Sequence, residues 1–172
     1  DTWEKTGLSA AAGYPFRITA VDGDGNESSG VSATGATLLE NPAGLSGKAF
    51  DGYAELTWNE AGPSGLVKHY AVYVSDVDFA SVSGMTPVLT TEKASAKAAG
   101  LANNKPYYFA VTTVNISDGQ KQDVSTVSVT PAADETGPEI TAVTFDDAAF
   151  ADGGSIAESG SFRVEASDPA GV

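Results

Sequence analysis

The sequence contains no cysteine, which excludes disulfides, thiolate metal sites and cysteine nucleophiles together. Histidine occurs once, as His69 beside Lys68, with no ligand-spaced partner; it reads as a surface strand residue rather than a general base. Basic residues are scarce, 9 against 23 acidic ones, for a net charge of −14. Such a chain repels phosphate backbones and anionic lipid, so nucleic-acid and membrane-surface partners are not expected. No apolar run approaches the roughly 20 residues of a membrane helix, so membrane insertion is not expected either. No leader peptide is visible, but the chain reads as starting inside a domain, so that absence carries no weight. Helical signals are nearly absent, and nucleophile elbows, phosphate loops and zinc motifs are missing. With no positioned nucleophile or base, catalysis is not expected.

What is present is strand-forming sequence. The 172 residues are 41% hydrophobic and 19% charged, a balance that suits a folded chain. "YAELTWN" (53–59), "KHYAVYVS" (68–75), "PYYFAVTTVN" (106–115) and "VSTVSVT" (124–130) alternate or are rich in β-branched and aromatic residues. Turn clusters such as "NEAGPSG", "LANNKP" and "NISDGQ" separate them. The chain also repeats itself at a constant offset of 93. Gly7, Leu8, Tyr14, Phe16, Thr19 and Val21 return as Gly100, Leu101, Tyr107, Phe109, Thr112 and Val114. Further on, Val31, Ser32 and Thr37 return as Val124, Ser125 and Thr130, without a gap. A period near one small-domain length predicts tandem antiparallel β-sandwiches, an all-β fold, rather than a solenoid.

Residues 42–131 resemble one complete fibronectin type III module. Trp58 stands at that family's core tryptophan position, and Tyr70 and Val72 match its Tyr-x-Val strand. Leu101, Tyr107, Phe109 and Val111 match its Leu-x5-Tyr-x-Phe-x-Val pattern. The resemblance implies that Tyr107 forms a tyrosine corner, its hydroxyl bonding backbone a few residues upstream. Residues 1–41 resemble the C-terminal strands of a preceding copy, with Leu8 and Tyr14 in the same corner. Residues 132–138 read as a linker. Residues 139–172 resemble the first strands of a bacterial immunoglobulin-like module, with Phe162, Val164 and Ala166 expected to point inward. The expected structural core is Trp58, Tyr70, Leu101, Tyr107, Leu8 and Tyr14. Tyr73 and Tyr108 fall on the opposite strand parity and are expected outward, and Trp3 faces either solvent or the rest of its module.

Several stretches invite a chemical reading. In "AVDGDGNESSG" (20–30), Asp22, Asp24 and Asn26 alternate like the first ligands of a calcium loop. The sixth position from Asp22 is Glu27 where an EF-hand needs glycine, and the twelfth is Ala33 where it needs glutamate. A tight hairpin turn fits better. Asp146, Asp147, Asp152 and Asp168 lie in or beside turns of the last segment, and Asp134 and Glu135 in the linker. Calcium at these carboxylates is the one cofactor left open, against the plainer reading of solvated acidic turns. "NES" (26–28) and "NIS" (115–117) are formal glycosylation acceptors and read as chance matches. The long "DFASVSGM" stretch carries Phe79 and Met85, candidates for a ligand loop; the plainer alternative is that Phe79 packs back onto the sandwich edge.

These readings predict a non-catalytic spacer of a multi-domain extracellular or cell-surface protein, adhesin-like or an accessory region of a secreted enzyme. Its expected partners are other modules of the same polypeptide. The alternative is a module that recognises a protein or glycan through loops at one end.

Overall fold

The computed structural model describes residues 4–150, 153–155 and 159–168; Trp3 and Asp152 lie outside them. Among the described residues the chain forms twelve strands and one short 3-10 turn, Ser64–Leu66. They are β1 (Gly13–Ile18), β2 (Val31–Ala36), β3 (Ser46–Phe50), β4 (Tyr53–Thr57), β5 (Val67–Ser75), β6 (Leu89–Thr91), β7 (Ser95–Ala99), β8 (Tyr107–Asn115), β9 (Val127–Val129), β10 (Glu139–Phe145), β11 (Ala148–Ala149) and β12 (Phe162–Ser167).

The centre of the molecule is a sandwich of two antiparallel sheets, ordered β3-β4-β7 and β6-β5-β8-β9. Alternation along β4 sends Ala54 and Leu56 inward, and Trp58 follows in the same parity just past the strand end. From the facing sheet come Tyr70, Val72, Phe109, Val111 and Val129. Leu56, Val72 and Phe109 are fully buried, and Trp58 is 6% exposed. Each such side chain contributes roughly 1.5–3 kcal/mol by leaving water. Leu101 and Tyr107 are half-buried against this core.

β5 and β8 do not keep the simple in-out alternation. Their buried runs include the outward parity, because a second small cluster covers the far face of the sheet. Ala71, Tyr73 and Val114 lie there beneath Val82, with Phe79, Met85 and Val124 packed around them. The covering segment is fastened to the chain before β9. Val82 donates its N–H to Gln122 O at 2.9 Å, Val124 donates to Ala80 O at 3.0 Å, and Ser81 bridges Asp123. The outward expectation for Tyr73 is therefore corrected. It is 2% exposed, because a loop roofs the face on which its strand parity places it. Tyr108 is half-buried.

The 93-residue repeat holds in sequence, yet strand pairing slips by one. Tyr14 faces Gly35, whereas Tyr107 faces Val129, the counterpart of Ala36. A one-residue slip reverses the faces of a strand. Val31 is 74% exposed, while its counterpart Val124 is partly buried under the roof. The roof contacts at 122–124 draw the second copy out of the pairing that the first copy makes directly with β1.

Two smaller sheets flank the sandwich in sequence. β1 and β2 form a hairpin, and β11-β10-β12 form a three-stranded antiparallel sheet. An irregularity between Ile140 and Ala142 shifts the β10 parity, so Ile140, Val143 and Phe145 all lie opposite apolar partners, Ala166, Val164 and Phe162. Phe145, Phe150 and Phe162 cluster, with ring centroids 4.9–6.5 Å apart. The inward expectation for Phe162, Val164 and Ala166 is corrected here. They share one face, but Phe162 is 54% and Val164 57% exposed and Ala166 is exposed, since the described residues supply only one layer.

Candidate functional site

The aspartate loop between β1 and β2 is built around one carboxylate. Asp22 Oδ1 accepts the backbone N–H groups of Asp24 (3.0 Å) and Asn26 (2.9 Å), and Asp22 Oδ2 accepts Asn26 Nδ2 (3.0 Å). The backbone closes the turn through Asp22 N to Asn26 O (3.0 Å) and Gly25 N to Asp22 O (3.1 Å). Gly25 adopts φ +87°, a region closed to most side chains. The Asn26 side chain, above all, together with the backbone donors, holds the Asp22 carboxyl below its ordinary pKa. These contacts make Asp22 the cap of a turn, with both oxygens already engaged, while Asp24 and Asn26 are exposed.

The other acidic candidates are dispersed. Asp146 and Asp147 take positive φ at the β10–β11 turn, and Asp146 Oδ1 accepts the Ser161 N–H at 2.9 Å. Asp134 Oδ1 accepts both the N–H and the hydroxyl of Thr136, and the N–H foremost lowers its pKa. Asp168 closes the described part of the last segment and has an interaction of its own. Among the described residues no group of three or more His, Asp or Glu converges as a metal site would.

Phe79 and Met85 are half-buried and pack into the roof over Tyr73. Beneath that roof, Gln120 Nε2 donates to the Tyr73 hydroxyl (2.9 Å), and the Thr112 hydroxyl donates to Gln120 Oε1 (2.6 Å). His69 lies in β5, half-buried, opposite Val114.

Both corner tyrosines make the same bond five residues upstream. Tyr107 accepts the Ala102 N–H at 3.0 Å, and Tyr14 accepts the Ser9 N–H at 2.8 Å. Gly100 and Gly7 precede them at φ +76° and +71°, which explains why glycine recurs at that point of the repeat. Leu8 is half-buried.

Sequence reasoning missed an aromatic stack on the outer face of β3 and β4. Phe50 and Tyr53 lie parallel, centroids 4.7 Å apart, with Lys48 over Phe50 (4.7 Å) and Lys97 over Tyr53 (3.5 Å). Strand parity carries the signal, since Lys48, Glu55 and Lys97 are in register across three strands. One ammonium group thus lies over each ring of the stack, an attractive cation–π arrangement. An open groove of about 590 Å³ runs between β6 and β7, lined by residues that include Leu56, Leu89, Thr91, Ala96 and Lys97.

Of the two glycosylation-type triplets, Asn26 is exposed, whereas Asn115 is fully buried and bonded on both sides of its carboxamide. That burial is incompatible with a glycan on Asn115 in the folded chain.

Two antiparallel sheets closed over one apolar core, with long side chains filling the interior, place this chain among the β-sandwich proteins. No family model and no curated protein matches the chain. Among solved structures it is similar to the FN1–FN3 domains of chicken CNTN1, with TM-score 0.50 and 15% identity over 76% of this chain and 46% of that one. It is also similar to a two-domain fibronectin type III segment of chicken tenascin (TM-score 0.43, 20% identity, 72% and 67% covered). A β-1,2-glucanase from Parabacteroides distasonis matches with TM-score 0.43 and 22% identity over 64% of this chain and 16% of the enzyme. At such identities the likeness speaks for the fold alone. The fold is fibronectin type III-like.

Proposed function

We propose that this chain is a non-catalytic spacer within a multi-domain extracellular or cell-surface protein. One observation carries the reading: Asp22, Phe79 and Met85, which invited a chemical role, are engaged in holding the fold. Asp22 caps a turn, and Phe79 and Met85 roof the sheet. The acidic surface supports a soluble, self-repelling segment. The glucanase match is too distant to lend this chain an activity. The domain division belongs to the same proposal: a complete module at 42–131, the last strands of a preceding copy at 1–41, a linker at 132–138 and the first strands of an immunoglobulin-like module at 139–172.

Small-angle scattering on the 172-residue chain tests the reading, with an elongated profile and no concentration dependence expected. Screening the same chain against protein and glycan arrays tests the alternative of a recognition module. Specific, saturable binding there would replace the spacer reading.

A further inference from the structure

Residues 36–41, the last residue of β2 and the stretch leading from it to the sandwich, are bonded to the end of β8 and to the segment that leaves it. Asn115 Nδ2 donates to Ala36 O (3.1 Å) and Thr37 O (3.0 Å), and Ser117 Oγ accepts the Ala36 N–H (2.9 Å). Further along, Asn41 Nδ2 donates to Asp123 O (2.9 Å), and its Oδ1 accepts the Thr113 N–H (3.2 Å). Leu39 is fully buried, Glu40 pairs with Lys121, and the Gly13 backbone packs on Leu66. By contrast, residues 132–138 are exposed throughout, and the Asp134 bonds reach only two residues on.

We infer that Asn115 is a junction clamp that fixes the orientation of the first-repeat hairpin on the sandwich, making 36–41 a rigid joint. The internal repeat separates the two tasks of this side chain. Ninety-three residues earlier stands Asp22, and the two loops are bonded alike. Asn115 Oδ1 accepts the N–H groups of Ser117 and Gly119, at 2.9 Å each, as Asp22 Oδ1 accepts those of Asp24 and Asn26. The backbone bonds Asn115 N to Gly119 O and Asp118 N to Asn115 O also have their counterparts at Asp22. Closing the loop therefore needs only an acceptor oxygen, which aspartate supplies. Holding the Ala36 and Thr37 carbonyls across the junction needs a donor, which the amide supplies and a carboxylate does not. A carboxylate at position 115 would set its charge against the carbonyls of Ala36 and Thr37, and burial makes that arrangement unfavourable. The clamp does not depend on the spacer reading and would stand for a recognition module as well.

The absence of native cysteine makes the test direct. Spin labels on Ser32→Cys and Ser128→Cys, both at exposed strand positions of the full chain, report the distance between the hairpin and the sandwich. A single narrow distance distribution is expected, broadening in Asn115→Asp while the near-ultraviolet circular dichroism of the sandwich is kept. A broad distribution in the parent, or an unchanged one in Asn115→Asp, overturns the clamp. Loss of the sandwich signal in Asn115→Asp overturns the division between loop closure and junction. Amide exchange gives a second reading without substitution. The Ala36 N–H is expected to be protected, and exchange at the rate of an open chain overturns the proposal.

Discussion

The Trp58 indole meets the Tyr70 ring edge-on, centroids 5.4 Å apart with 70° between the planes. Tyr70 in turn accepts the Ala61 N–H at 2.8 Å, so a ring contact and a backbone anchor are joined in one side chain. Replacing Trp58 by alanine removes the largest apolar group of the core and leaves a cavity. The expected cost is roughly 3–5 kcal/mol. Urea denaturation followed by circular dichroism measures it; a loss below about 0.5 kcal/mol, the range of ordinary surface changes, would place Trp58 outside the load of the core.

Tyr73→Ala separates the roofed sheet from a sheet with a solvated outer face. Under the roof formed by Val82, Phe79 and Met85, the substitution is expected to cost roughly 3–5 kcal/mol. An outward tyrosine would change stability by only about 0.5 kcal/mol. The same denaturation experiment decides between them.

The corner bonds predict a smaller effect. Tyr107→Phe deletes the acceptor of the Ala102 N–H and keeps the ring against the core. Because that N–H lies near solvent, water replaces much of the lost bond, and the expected cost is about 0.5–1.5 kcal/mol. Exchange of the Ala102 amide is expected to accelerate. An unchanged rate would remove the hydroxyl from the corner.

The turn at Asp22 carries a pH dependence whose sign follows from its lowered pKa. A carboxyl depressed in the folded state stabilises above its unfolded value, about 3.9, and loses that contribution as the pH falls through the folded value. The loop at 22–26 is therefore expected to loosen only in acid, below about pH 4. Asn26→Ala removes the largest cause of the depression, and the Asp22 midpoint in a carboxyl-detected NMR titration is expected to rise. An unmoved midpoint would contradict the Asn26–Asp22 bond.

Much of the fold was legible before any coordinates, because the period-two patterning of β4 and the β-branched and aromatic content of β5 and β8 are local properties of the chain. The tyrosine–leucine spacing was equally legible, since the corner is made within a few residues. Tyr73 was misread for a different reason. Parity states which face a side chain takes, but not whether a distant loop covers it. The same limit applies to Phe162 and Val164, whose shared face follows from alternation and whose exposure depends on what lies opposite. Asn115 read only as the first residue of a chance triplet, because its partners, Ala36 and Thr37, are nearly eighty residues away.

The sequence by itself determined that the chain is all-β, repeated at an offset of 93, acidic, and without thiol chemistry, for these depend on residue type, order and count. Tertiary structure alone decided which aromatic rings are open, which carboxylates are already bonded, and that 36–41 is a joint. Those properties depend on which distant backbone groups meet in space, and hydrogen bonds and burial form only where they meet.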